Sequence, residues 1–302
     1  MKKKVLFMGY GNMTKKYCAI IKKLKTPRIT IKHYTSQNIP NNLYKKIKKL
    51  KEYNPDIIFI CSSTSDHYKH LSLVNKIFKD KLIMVEKPLF HKFIKFKQNN
   101  KIYVGYNLRH DPLMQYLKNK IKEQKIWSAE VFCNTYLPNW RKRDYTKTYS
   151  AKKNLGGGVL LDLSHELDYI NWIFGELKIK FAVNNKISNL KINTDDNLLI
   201  LGKAKNVKQF IIHLNYYSKI ESRYILINGD KINFKADLLN KKITFVKKNK
   251  EYIKSWNDKK WQLKTFENMI KSMINNKNIK LPNLKNSLKV LKTVEKIKKF
   301  RS

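Results

Sequence analysis

The apolar positions of the first 110 residues fall into short runs separated by amphipathic stretches. Val5-Leu-Phe-Met8 is an apolar run that stops at a glycine, the signature of a buried strand. A helical pattern follows to Leu24, closed by Pro27. Ile29 to Tyr34 alternates apolar and polar residues, is rich in β-formers and reads as a second strand. The basic amphipathic stretch Leu43 to Leu50 predicts a helix, Asp56 to Cys61 a third strand and Tyr68 to Phe78 another helix. Leu82 to Val85 and Ile102 to Gly105 supply a fourth and a fifth strand. Strands alternating with helices imply parallel βαβ units in a doubly wound sheet.

After about residue 125 the rhythm changes. Ala129 to Tyr136 reads as a strand and Leu161 to Phe174 as a helix. Five strand-like runs follow without helices between them: Leu198 to Leu201, Gln209 to Tyr217, Tyr224 to Asn228, Ile232 to Phe234 and Ile243 to Val246. That succession predicts an open antiparallel or mixed sheet. Two helices close the chain. Phe266, Met269, Ile270 and Met273 mark the core face of the first; Leu284, Leu288, Leu291, Val294 and Ile297 mark that of the second. The expected fold class is α/β, with a doubly wound parallel sheet over residues 1–120 and an α+β domain with an open mixed sheet over residues 121–302.

Composition narrows the function classes. At 302 residues, 42% hydrophobic and 12% aromatic, the chain can bury two cores and is not disordered as a whole. No apolar run approaches the roughly 18–20 residues of a membrane span, and the apolar run after Met1 is too short for a signal-peptide core. A cytoplasmic protein without a membrane partner is therefore expected. Cys18, Cys61 and Cys133 lie far apart with no CxxC, so neither a disulfide framework nor a metal site is predicted. The net charge of +43 would ordinarily point to nucleic acid. However, only six of the 65 cationic residues are arginine, and the lysines are spread over the whole chain instead of forming one stripe. Enrichment in Lys, Ile and Asn together is what an AT-rich genome produces, so no nucleic-acid partner is expected, although the field would help a phosphorylated ligand find its site.

Five of the nine glycines sit in two places. Gly9-Tyr-Gly11-Asn12-Met13-Thr14 ends the first strand and opens a helix, as a dinucleotide fingerprint does, with Thr14 in place of the third glycine. An ordinary βα turn would look the same in isolation. His33-Tyr34-Thr-Ser36 stands where an acidic ribose clamp is expected, so NAD and NADP both stay open. Val85-Glu86-Lys87-Pro88 places a lysine just after a buried strand, at the carboxyl end of the sheet where ligands bind. The third motif runs from Gly156-Gly-Gly through Asp162 and His165 to Phe174-Gly175. Read as one helix, it sets Asp162 and His165 on a shared face as a general-base pair. The competing reading makes Asp162 an N-cap and His165 a packing residue.

In combination and in this order, the three motifs resemble the Gfo/Idh/MocA family of NAD(P)-dependent oxidoreductases over nearly the whole chain. The resemblance implies a Rossmann domain followed by a domain whose open sheet carries the substrate face. It assigns catalysis to Lys87, Asp162 and His165, and cofactor contacts to Gly9, Gly11, Asn12, Met13, Tyr34, Ser62, Ser63, Thr64, His67 and Glu86. The family's usual Asp-x-x-x-His spacing is one residue shorter here, which adds Asp168 and Tyr169 as candidates. The segment from Tyr136 through Trp140, Arg141, Arg143 and Tyr145 to Tyr149 looks like a variant associated with surface-sugar biosynthesis. With Arg109, the side chains of Trp140, Arg141 and Tyr149 suit an anionic, partly apolar sugar derivative. The expected reaction is hydride transfer to or from a sugar, sugar-nucleotide or cyclitol carbon by a homo-oligomer. The alternatives are a glycosidase-type enzyme with transient redox chemistry and a non-catalytic nucleotide-binding sensor.

Overall fold

The computed structural model describes residues 3–24, 28–256, 258 and 260–300. Pro27, expected to close the first helix, lies outside the described residues; the Leu24 N–H caps that helix on the Ile20 and Ile21 carbonyls. The chain forms two compact units, Met1–His110 with Gln262–Leu288 and Asp111–Trp261 with Lys289–Ser302.

The first stretch runs β1 (Lys3–Met8), α1 (Asn12–Lys23), β2 (Ile29–Tyr34), α2 (Ile47–Tyr53), β3 (Ile57–Ile60), α3 (His67–Ile77), β4 (Leu82–Val85) and β5 (Lys101–Val104). The second stretch begins with α4 (Pro112–Ile121), β6 (Ile126–Tyr136), α5 (Val159–Asp162), α6 (His165–Phe174), β7 (Leu177–Asn185), β8 (Asn197–Ala204) and β9 (Val207–Asn215). It continues with β10 (Tyr217–Gly229), β11 (Asn233–Asp237), β12 (Lys242–Lys247) and β13 (Lys250–Ser255), and the chain closes on α7 (Trp261–Asn275) and α8 (Leu284–Ile297).

In the first unit the five strands are all parallel, in the order β2-β1-β3-β4-β5. β3 and β4 are buried at every position, which is why they read as unbroken apolar runs, whereas β2 at the edge alternates. Strand order reverses between β1 and β3, and the carboxyl ends of strands at such a switch point are where ligands bind in open α/β sheets. Met269, Ile270, Met273 and Ile274 of α7 join the core of this unit with Val5, Phe7, Tyr17, Phe59 and Met84. Each such side chain contributes about 1.5–3 kcal/mol on full burial, so this late segment belongs to the first unit although sequence order puts it last. The helix expected from Leu43 begins at Ile47 instead. Leu43 donates its N–H to the His33 carbonyl beside β2 and is not available to a helix.

The second unit holds an eight-stranded sheet, ordered β13-β12-β11-β10-β6-β9-β8-β7. β6 and β9 are parallel and the other neighbours antiparallel, a mixed sheet. Two expected elements are each divided. The strand read over Gln209 to Tyr217 breaks at Tyr216, which separates β9 from β10 and pairs its N–H with the Asp196 carbonyl. The helix read over Leu161 to Phe174 is α5 followed by α6. Asp195 takes the Val159 N–H on its carbonyl and the Leu160 N–H on its carboxylate, and Leu163 at ψ 25° redirects the chain. Asp162 ends one helix and His165 begins the next, so the shared helical face expected for them does not exist. The N-cap positions are Gly158 and Ser164, not Asp162. No helix among the described residues is long and apolar enough to cross a membrane.

Candidate functional site

In the first unit the loops after β1, β3 and β4 gather at the carboxyl edge of the sheet. Gly9, at φ +93°, closes β1, and a Cβ there would lie 2.7 Å from the backbone of Ser62 in the loop after β3. Only glycine satisfies both demands. Thr14, standing where a third glycine was expected, donates its hydroxyl to the Gly9 carbonyl at 3.1 Å and so braces the turn. Gly11 is different: a Cβ on it would meet nothing within 4 Å, and no acidic residue sits in the first turn of α1. The N–H groups of Asn12 and Met13 therefore open a helix N-terminus beside free space and no competing carboxylate. The pyrophosphate of a dinucleotide fits these residues.

Beyond β2, Tyr34 is buried and meets Tyr44 and His70 edge-on, at ring centroid distances of 5.2 and 6.0 Å. The His70 Nδ1 lies 2.9 Å from the Ser62 hydroxyl, tying this aromatic group to the loop after β3. Tyr44 and His70 escaped sequence reasoning; the spacing of His70 one helical turn after His67 was the available signal. Ser63 bonds Asp66, and Thr64 is buried at the start of the turn that leads into α3. His67 is buried with Nδ1 2.9 Å from the Pro88 carbonyl and Nε2 3.2 Å from the Ser62 carbonyl. Burial lowers its pKa to about 4, so the ring is a neutral pin between the loops after β3 and β4. Glu86 accepts the Tyr17 hydroxyl proton in a short hydrogen bond. Burial raises its pKa; the Tyr17 bond and the neighbouring Lys87 ammonium oppose that rise. Lys87 follows, half-buried at the end of β4. Arg109 is buried, at 4% exposure, on the short helical turn of residues 107–110.

In the second unit the structure brings Trp140, Arg141, Tyr149 and Asp162 together. The Tyr216 hydroxyl donates to Asp162 Oδ2 at 2.7 Å, and the Tyr149 hydroxyl bonds the same carboxylate. Burial raises the pKa of both phenols, and the adjacent Asp162 raises it further. Trp140 packs edge-on against Tyr216 at 5.2 Å and donates its indole N–H to Thr135 at 2.6 Å. The Arg141 guanidinium lies 5.3 Å from the centre of the Tyr149 ring. Tyr216 was missed because it reads as one more residue of a strand. The glycine run before α5 is a packing device: Gly158 is at φ +111°, and a Cβ there would lie 2.1 Å from Asp195. Burial lifts the Asp195 carboxyl to about 6. From residue 156 to residue 170, His165 alone keeps partial exposure. Asp168 and Tyr169, the added candidates, are buried, and Tyr169 is influenced by Glu166 and Arg223, which form a 2.6 Å ion pair.

The first unit carries a glycine turn at a helix N-terminus with a half-buried lysine, and the second a carboxylate–phenol–arginine group and a partly exposed histidine. Among curated proteins, none matches the sequence. Among solved structures, the chain is similar to an oxidoreductase from Agrobacterium radiobacter in complex with NAD+, L-tartaric acid and magnesium, with 16% identity over 100% of this chain and 98% of that one, and a TM-score of 0.79. It is similar to the WlbA dehydrogenase from Bordetella pertussis in complex with NADH and UDP-GlcNAcA, with 14% identity, 99% and 96% coverage, and a TM-score of 0.74. The super-repressor mutant of Gal80p from Saccharomyces cerevisiae matches with 15% identity, 99% and 95% coverage, and a TM-score of 0.79. At these identities the likeness is one of fold. Residues 118–300 match the model of the oxidoreductase family, C-terminal alpha/beta domain. The chain belongs to the Gfo/Idh/MocA family of oxidoreductases.

Proposed function

We propose that the protein is an NAD(P)-dependent dehydrogenase or reductase acting on the carbinol or keto carbon of a sugar, sugar nucleotide or cyclitol. The observation that carries this reading is the open space at Gly11, on the N-terminus of α1 and at the switch point of the parallel sheet. Gly9, Gly11, Asn12 and Met13 hold the pyrophosphate. Tyr34, Ser62, Ser63, Thr64 and Glu86 serve the rest of the dinucleotide, with His67 fixing the loops that present them. Because Thr35 and Ser36 follow β2 in place of a carboxylate, the proposal covers NAD and NADP alike. A bound nicotinamide supplies the hydride acceptor or donor.

The chain's own residues manage the proton and the charge. His165 accepts the hydroxyl proton in the oxidative direction and returns it in the reductive one. The Lys87 ammonium serves to stabilise negative charge developing on a substrate oxygen. Asp162, held by Tyr149 and Tyr216, takes a neighbouring substrate hydroxyl or orients the imidazole. Arg141 receives the anionic part of the substrate, and Trp140 its apolar face; Arg109, buried in the first unit, is a separate candidate for substrate binding. The complex of the Bordetella pertussis relative with NADH and UDP-GlcNAcA supports a nucleotide-activated sugar as the first substrate to try.

We further propose a cytoplasmic homo-oligomer, paired through the face of the eight-stranded sheet where Phe181, Leu201 and Ile211 align across β7, β8 and β9. Phe181 is 50% and Leu201 37% exposed there. The test of the reaction is to incubate the protein with nucleotide-activated and free acidic sugars and follow the absorbance of reduced nicotinamide. A lasting change supports net redox turnover; product without a lasting change supports the transient-redox glycosidase reading. A second reading, a sensor without turnover, draws on the likeness to the yeast repressor and on the division of Asp162 and His165 between two helices. Binding of dinucleotide and sugar with no product over long incubation would favour it.

A further inference from the structure

The second unit contains a cavity of about 670 Å³ that shares no residue with the proposed redox site. It is a hollow open to solvent, bordered by the C-terminal ends of α4 and α6 and by the hairpin between β8 and β9. The Asn206 N–H donates to the Phe174 carbonyl at 2.8 Å, which holds the hairpin against the end of α6 and keeps the cavity preformed. Six of the sixteen lining residues are lysines, Lys118, Lys122, Lys125, Lys203, Lys205 and Lys208, and none is acidic. Lysine makes up 59 of the 302 residues overall, so the lining is enriched nearly twofold even over this basic chain.

Lys118 is committed locally. Its ammonium donates to the Trp172 carbonyl at 3.2 Å and lies 4.1 Å from the centre of that indole. The other five have no ion-pair partner among the described residues. A helix C-terminus favours a cation or two in its last turn, which accounts for Lys118 and Lys122. It does not account for Lys203, Lys205 and Lys208 on the facing hairpin, where like charges converge on one hollow. Between them the walls are apolar, at Ile126, Phe174 and Val207, and low-dielectric walls focus the field of the ammonium groups into the cavity. The volume suits a small molecule, whose sites run to roughly 300–1,000 Å³. Lysine ammonium groups act as point charges, a form that serves phosphate well and does not demand planar pairing. We propose that this cavity binds a small molecule carrying several phosphate groups.

Inorganic tripolyphosphate, titrated by calorimetry into the full chain at physiological ionic strength, is the probe, with orthophosphate beside it. The expected result is saturable binding of one tripolyphosphate per chain, at least about tenfold tighter than orthophosphate and retained when NADH is present in saturating amount. The triple variant Lys203→Glu, Lys205→Glu, Lys208→Glu should lose at least about tenfold in affinity. The control triple Lys247→Glu, Lys248→Glu, Lys250→Glu makes the same charge change on the hairpin between β12 and β13 and should change it less than about twofold. Should the cavity triple fail to fold, the corresponding Lys→Gln triple replaces it, with loss of affinity again expected. Equal losses in cavity and control variants, displacement of tripolyphosphate by NADH, or binding to many weak sites would each overturn the proposal.

Discussion

At the level of single residues, the Asp162 carboxylate is defined by the two phenols that hold it. Tyr216→Phe removes the 2.7 Å hydrogen bond to a buried oxygen, which should cost about 1–2 kcal/mol of stability. It should also lower kcat by about tenfold with dinucleotide affinity unchanged. Steady-state kinetics alongside NADH titration checks this; a loss of stability without any change in kcat would make the phenol purely structural. Lys87→Ala should reduce kcat by about 10²–10³ while leaving the dinucleotide Kd near its original value. Equal losses in both would refute its role at the reacting oxygen. Trp140, Arg141 and Tyr149 draw attention in the sequence because two of six arginines sit beside aromatics there, and Asp162 because it follows the glycine run. Tyr216 was not, because its partner lies 54 positions away and nothing local marks it.

Among the elements, central strands were legible and divided ones were not. β3 and β4 announce themselves because both of their faces are buried, whereas β13 is exposed at every position and leaves no apolar pattern to read. α4 carries a legible signal that went unused: Asp111 caps it by accepting from Leu113 N–H, with Pro112 at its first position. The break between α5 and α6 lies at Leu163, at ψ 25°, where the apolar spacing continues, so the helical pattern runs straight through it in sequence. The loops after β3 and β4 carry a pH prediction. His67 is held neutral, with its pKa lowered to about 4 against an ordinary 6.5. The unfolded chain then takes up the proton first as pH falls, so the stability contributed by the neutral ring is present above about 6.5 and is lost toward 4. Between pH 7.5 and pH 5 that amounts to about 2 kcal/mol. Denaturant midpoints at the two pH values should converge more in His67→Gln than in the parent, and an unchanged pH dependence would contradict the pin.

On the scale of the whole molecule, the charge of +43 says little about partners and much about behaviour in salt. The apolar positions left on the open sheet face are more telling, since contiguous exposed apolar surface marks interaction sites. Light scattering should show more than one 36.0 kDa chain per particle. Phe181→Asp with Leu201→Asp should reduce it to one, and a parent that is already monomeric would remove the pairing surface from the account. The βα rhythm of the first 110 residues is local and can be read in sequence, whereas the return of α7 to the first core depends on where Met269 and Met273 are buried. The proposed site places a dinucleotide pyrophosphate in the open space at Gly11. Gly11→Asp tests it in one variant, because aspartate is a preferred N-cap and its Cβ meets nothing there, yet its carboxylate would stand where the pyrophosphate must lie. Fluorescence titration with NADH should show saturable binding by the parent and a loss of more than about tenfold in the variant, with Tm unchanged or raised. Equal affinity in parent and variant, or no binding by either, would contradict it.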